Sequence, residues 1–98
     1  MELSAELSLY PLTGDVDTSV LAFIDDLHAS GQISVVTNTM STQISGDWDA
    51  VMSAINVALK HSCQRIDRQI LVVKYLPNHR IEYPFSSRSV SRSRRNYK

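Results

Sequence analysis

Apolar and polar residues alternate along the first ten positions of the chain, a period of two that is typical of a half-buried strand. The alternating residues are Leu3, Ser4, Ala5, Glu6, Leu7, Ser8, Leu9 and Tyr10. Pro11 ends this strand, because proline cannot donate a hydrogen bond to a strand ladder. Three later runs rich in apolar and β-branched residues also predict strands: residues 32–38, 42–45 and 69–76.

Two segments instead repeat apolar residues at helical spacing. In the first, the apolar positions are Val20, Phe23, Ile24 and Leu27. Asp17 or Thr18 can cap its start, and Gly31 lies where a left-handed residue ends a helix. In the second, the stripe consists of Trp48, Val51, Met52, Ile55 and Leu59, with Asp47 as the predicted cap.

The element order is therefore βαββαβ, which predicts an α+β, ferredoxin-like sandwich: a four-stranded antiparallel sheet with both helices on one face. If the leucines of the first strand face the helices, Glu6, Ser8 and Tyr10 point to the open face, whereas the second strand fits either phase. The last strand is apolar on both sides, so we expect a second copy of the chain to cover its open side. Residues 79–83 predict a short fifth strand or an arm.

Composition and charge divide the chain into two parts. Its 98 residues are 43% hydrophobic and 20% charged, which suits one small globular domain. Residues 1–84 carry ten acidic and five basic side chains and form the predicted domain, whereas residues 85–98 carry five basic ones and no acid. This Ser/Arg-rich tail predicts disorder. The sequence contains neither a signal peptide nor an apolar run that could span a membrane, so we expect a cytoplasmic protein.

The residue types argue against catalysis and against a metal or cofactor site. One cysteine builds no thiolate zinc site, and the three histidines have no ligand spacing; His61 and Cys63, two positions apart, supply only two ligands. The loop of residues 11–16 has no arginine or lysine to hold a phosphate. Nucleic-acid binding by the sheet is disfavoured, since only Tyr10 could stack on a base. The basic tail leaves weak polyanion binding as an alternative.

What remains is a group of neutral hydrogen-bonding side chains around the turn between the second and third strands: Thr37, Asn38, Thr39, Ser41 and Thr42. These residues fit either a ligand site or ordinary turn chemistry. Trp48 fits either the helix core or a platform for a flat ligand. Glu6 needs a partner, which is a ligand cation, a salt bridge between chains, or water.

Residues 8–12, Ser-Leu-Tyr-Pro-Leu, and residues 37–49, Thr-Asn-Thr-Met-Ser-Thr-Gln-Ile-Ser-Gly-Asp-Trp-Asp, resemble the small thiamine-binding (YkoF-like) proteins. The similarity extends over about residues 2–76. It implies a ferredoxin-like fold, homodimers or homotetramers formed through the sheets, and binding of thiamine or its hydroxymethylpyrimidine moiety without catalysis. The ligand-binding residues that it implies are Ser8, Tyr10, Asn38, Met40, Ser41, Thr42 and Trp48.

The chemistry of these side chains agrees with such a ligand. The Asn38 amide could recognise an aminopyrimidine through two hydrogen bonds, and the hydroxyls of Ser8, Ser41 or Thr42 could take its remaining polar groups. Tyr10 or Trp48 could stack on the ring, and Glu6 could attract the thiazolium cation. The alternative function is a regulatory or scaffold oligomer that uses its open face for partner proteins and binds no small molecule.

Overall fold

The computed structural model describes residues 1–81, so the predicted basic tail of residues 85–98 lies outside the described residues. The elements are β1 (Glu2–Pro11), α1 (Val16–Ala29), β2 (Ile33–Thr37), β3 (Thr42–Asp47), α2 (Trp48–Arg65) and β4 (Gln69–Pro77). The predicted βαββαβ order is confirmed. No helix among these residues is long and apolar enough to cross a membrane.

The four strands form one antiparallel sheet in the order β2-β3-β1-β4, the ferredoxin-like arrangement. The register settles which side chains share a face, because alternate residues of a strand point to opposite sides. Ile33 and Val35 of β2 share the helix face with the leucines of β1, so Ser34 and Val36 lie on the open face. This resolves the phase of the second strand, which sequence alone left undecided.

The hydrophobic core fills the space between the helix face of the sheet and the two helices. Its buried residues are Leu3, Ala5, Leu7, Phe23, Leu27, Ile44, Val51, Ala54, Ile55 and Ala58. Not every residue of the predicted helical stripes is fully buried. Val20 and Ile24 of α1 are only half-buried, as is Trp48 at the start of α2. Helix α1 therefore leaves room beside the core at Val20 and Ile24.

Two boundaries differ from the sequence prediction. Helix α1 is capped by Asp15, whose Oδ1 accepts a hydrogen bond from the Thr18 amide at 3.0 Å, rather than by Asp17 or Thr18. Strand β3 does not end before Gly46 but continues to Asp47, which caps α2 as predicted. Glycine suits this strand position because an added Cβ would lie 3.2 Å from both the Gln32 carbonyl oxygen and Ile33 Cγ2.

After β4 the chain turns at Asn78, whose φ is 60°, and residues 78–81 form an arm across one end of the open face. A chain of hydrogen bonds holds this arm. Ser4 Oγ donates to the His79 carbonyl at 2.7 Å, and the Ile81 amide donates to Ser45 Oγ at 2.9 Å. Since the Ser4 proton is engaged, Ser45 must donate across the 2.8 Å gap between the two hydroxyls. Each buried hydroxyl thus donates once and accepts once.

Replacing Ser45 with alanine is expected to lower the free energy of unfolding by about 1–3 kcal/mol, because it leaves the Ile81 amide without an acceptor and Ser4 without a donor. Hydrogen exchange at the Ile81 amide should become faster. Ser34→Ala is the matched control, since Ser34 lies opposite Ser45 on β2. Unchanged exchange at Ile81 in the Ser45 variant would contradict this arrangement of the arm.

Candidate functional site

A cleft forms where β1 extends beyond its neighbour β3. The β1–β3 pairing ends at Leu7 and Thr42, whereas the β1–β4 pairing continues to Pro11. Residues 8–10 of β1 therefore face the turn between β2 and β3, which we call the hairpin (residues 38–41), instead of a paired strand. Half-buried residues of α1 close the cleft from the helix side. The cavity in this cleft has a volume of about 150 Å³ and is open to solvent.

The cleft has an apolar side and a polar side. Its apolar lining includes Leu7, Leu9, Val20, Phe23 and Ile24. Its polar lining comprises residues of β1, of the two strand ends and of the hairpin: Ser8, Tyr10, Thr37, Asn38, Thr39, Ser41 and Thr42. A mostly apolar concavity with a few converging polar groups is the usual form of a small-molecule site.

Asn38 fixes the shape of the hairpin through its own side chain. Its Oδ1 accepts hydrogen bonds from the amides of Met40 at 2.8 Å and Ser41 at 3.1 Å, and its amide donates to the Ser41 carbonyl at 3.0 Å. This is the local bonding for which asparagine is favoured in turns. Because Oδ1 already serves two donors, only the Nδ2 group is left for a ligand. The predicted two-point recognition by the Asn38 amide does not fit this geometry.

The hydroxyls of Thr37 and Thr42 form a pair on the helix-face side of the hairpin. Their Oγ1 atoms are 2.9 Å apart, and Thr42 is buried opposite Leu7. A hydroxyl pair uses only one of the two protons between its members, so the second proton can be donated to another group. Of the described residues that line the cleft, Thr42 is the only buried polar one, whereas Thr37 is exposed.

Glu6 finds its partners within the chain. On the open face, its Oε2 accepts a hydrogen bond from Ser41 Oγ at 2.8 Å, and its Oε1 lies 3.8 Å from Lys74 Nζ. Glu6 is not part of the cleft lining. The sequence left three possible partners for Glu6: a ligand cation, a salt bridge between chains, or water. The structure instead shows a salt bridge to Lys74 within the chain and a hydrogen bond from the Ser41 hydroxyl.

The structure brings six of the eight predicted site residues together and leaves two apart, Glu6 and Trp48. Around the cleft lie Ser8, Tyr10, Asn38, Met40, Ser41 and Thr42. Trp48 begins α2 at the far end of β3, six residues or roughly 20 Å along the strand from Thr42. Its amide donates to the Met1 carbonyl and its ring packs on the core, so it lies outside this site.

The site residues that sequence reasoning missed are the apolar ones: Leu7 and Leu9 of β1, and Val20, Phe23 and Ile24 of α1. They belong to the predicted alternation of β1 and to the predicted stripe of α1, and both patterns indicate residues that face a core. The only sequence signal that could have singled them out is the difference in length between the first and third predicted strands.

A separate cluster of polar and charged groups lies where α1 meets the C-terminal part of α2. Asp26 Oδ2 lies 3.0 Å from an Arg65 guanidinium nitrogen and 3.5 Å from His61 Nδ1, and Gln69 donates to Cys63 Sγ at 3.6 Å. Within residues 1–81, histidine, cysteine and acidic side chains form no group of three that could hold a metal ion.

The sequence model of the family described as "Thiamine-binding protein" matches residues 5–78, three quarters of the chain, and this range contains the whole cleft. The chain belongs to this thiamine-binding protein family. No curated protein matches it.

Solved structures share the fold of this thiamine-binding family member. A Thermotoga maritima protein provisionally assigned to thiamine biosynthesis or salvage is 14% identical, with 95% of this chain and 99% of that chain covered and a TM-score of 0.74. A hypothetical protein from Methanocaldococcus jannascii is 23% identical over 94% of both chains, with a TM-score of 0.70. A domain of unknown function (DUF77) from Bacillus cereus is 19% identical over 85% and 84% of the chains, also at 0.70. At these identities the likeness establishes the fold alone.

Proposed function

We propose that the protein binds thiamine or its hydroxymethylpyrimidine moiety in the cleft, without catalysis and without a cofactor. The observation that carries this proposal is a cavity lined by neutral hydroxyl and amide groups inside the range matched by the family. The volume of the cavity determines how much of the ligand can enter it. A cavity of about 150 Å³ holds a six-membered ring. Larger drug-sized ligands occupy about 300–1,000 Å³.

The pyrimidine ring is therefore the part that we place inside the cleft. Its ring nitrogens accept hydrogen bonds and its exocyclic amino group donates them. Asn38 Nδ2 and the Ser8 hydroxyl supply donors, and the oxygens of Thr37 and Thr42 supply acceptors. The thiazolium ring of thiamine then lies towards the solvent, beside Tyr10, whose exposed ring can receive a cation on its face.

We also propose that the protein acts as a homodimer or homotetramer that sequesters or delivers the ligand. Three apolar side chains of β4 support self-association because they stand largely exposed on the open face: Ile70, Val72 and Leu76. Ile70 and Val72 are neighbours on this face, while Lys74 separates them from Leu76; exposed apolar side chains that cluster mark an interaction site. The same face would serve the alternative function, a scaffold oligomer without a small ligand. A cytoplasmic location stays a prediction from the sequence.

Isothermal titration calorimetry with thiamine and with hydroxymethylpyrimidine, run beside light scattering, tests both parts. We expect saturable binding of either compound by an oligomer. A stable oligomer that binds neither compound at millimolar concentration would favour the scaffold function instead.

Asn38→Asp is expected to weaken hydroxymethylpyrimidine binding about tenfold, because it removes one donor while keeping an oxygen for the hairpin amides. Asn38→Ala should cost more, since it also removes the turn bonds. The neutral pyrimidine is the suitable probe, because a new carboxylate would attract the thiamine cation. Asn56→Asp, on the exposed side of α2, is the matched control. Equal affinities for the wild type and Asn38→Asp would place the ligand elsewhere.

A further inference from the structure

The two walls of the cleft are joined at few points. One wall is β1, and the other is the hairpin with the strand ends that it connects. Regular strand pairing between these walls stops at Leu7 and Thr42. Beyond that point, the hydrogen bond from Ser41 to Glu6 links the hairpin to β1. The bonds made by Asn38 are local to the hairpin and set its internal shape without fixing its distance from β1.

The hydrogen bond between Ser41 and Glu6 has the strength and the geometry needed to hold the hairpin in place. A hydroxyl that donates to a carboxylate makes a stronger bond than a pair of neutral groups does. The 2.8 Å separation is normal for such a bond. Glu6 lies in the middle of β1, between Gln43 and Lys74 in the register, so its backbone is held on both sides. Ser41 lies on the hairpin itself, which has no such support.

We infer that Glu6 is a positioning residue: its carboxylate holds the hairpin at the distance from β1 that the ligand requires, and it does not contact the ligand. This inference rests on the proposed function of the cleft. Its geometric basis is that Glu6 lies outside the cleft lining while Ser41 belongs to it. Lys74 adds little, because its ammonium group is largely exposed and 3.8 Å away.

The charge of the probe distinguishes this role from direct contact with a cation. Thiamine carries a positive thiazolium ring, and hydroxymethylpyrimidine is neutral. If Glu6 positions the hairpin, Glu6→Ala weakens binding of both compounds by the same factor, about tenfold for one lost hydrogen bond. Ser41→Ala has the same effect, and the double variant binds no more weakly than either single variant. Glu6→Gln recovers part of the affinity because its amide oxygen still accepts from Ser41.

A second measurement does not need a ligand. Hydrogen exchange at the Met40 and Ser41 amides becomes faster in Glu6→Ala, because a hairpin released from β1 opens more often and its bonds to Asn38 Oδ1 then break. Glu2→Ala is the matched control: Glu2 is another exposed carboxylate on the same face of β1, paired with Arg80 at the far end. This variant leaves exchange in the hairpin and both affinities unchanged.

Three results would overturn the inference: a loss confined to thiamine, additive losses in the double variant, or unchanged exchange in the hairpin. If the wild type binds neither compound, the proposed function fails. The exchange measurement then decides separately whether Glu6 holds the hairpin.

Discussion

Replacing Val20 with tryptophan is expected to abolish binding of thiamine and of hydroxymethylpyrimidine, with affinity at least about a hundredfold lower, or roughly 2.7 kcal/mol. Val20 is half-buried on α1 and lines the cavity of about 150 Å³. An indole in this position occupies the space that we assign to the pyrimidine ring. The fold has room for the larger side chain because the cavity is adjacent. Calorimetry with both compounds measures the effect.

The control is the next residue along the helix. Leu21 is 61% exposed and does not line the cleft, so Leu21→Trp adds the same indole to the solvent side of α1. Its affinity for both compounds should equal that of the wild type. Full binding by a folded Val20→Trp protein, judged by its circular dichroism spectrum, would show that the ligand occupies a different site.

Leu27→Ala is expected to lower the free energy of unfolding by about 2–5 kcal/mol, since it removes buried methyl groups and leaves a cavity. Leu27 has no exposed surface and packs between the sheet and α2. A domain of this size has a total stability of only about 4–12 kcal/mol. The Leu27→Ala substitution therefore removes a large part of the total free energy of unfolding. Urea unfolding at one fixed protein concentration is the measurement, because self-association makes stability depend on concentration.

Leu21→Ala is the matched control for this change, because it makes the same substitution on the exposed side of the helix. Its effect should stay within about 0.5 kcal/mol. If Leu27→Ala were equally mild, the helix would not be packed on the sheet as described.

The fold was predictable from the sequence because each signal was local. Alternation in β1 placed Leu3 and Leu7 against the helices, and spacing of 3.6 residues defined both helices. The cap of α1 was misplaced by two or three positions within one turn, whereas the other errors came from contacts between distant segments. Gly46 resembled a strand end, but it lies inside β3 because Ile33 approaches its backbone. The phase of β2 required the register with β3, which no pattern within five residues could supply.

The site was less predictable than the fold. Ser8 and Tyr10 of the first motif line the same cleft as the hairpin of the second, and their role in binding stays a prediction. The motifs could not indicate that Asn38 Oδ1 already accepts two hydrogen bonds from hairpin amides, because the same residue types form turns and bind ligands. The partner of Glu6 is Ser41, 35 positions away, and only the register of three strands makes them neighbours. Trp48 belonged to the second motif, yet the length of β3 separates it from the cleft.

The cleft exists because β1 has ten residues and β3 has six. The width of the cleft therefore depends on the length of the hairpin. Adding one residue pair to the hairpin ends would extend β3 along β1 and narrow the cleft, and removing a pair would widen it. Neither change alters the hydrophobic core, to which Leu27 and Val51 belong. The length of the hairpin therefore sets the width of the cleft independently of the hydrophobic core.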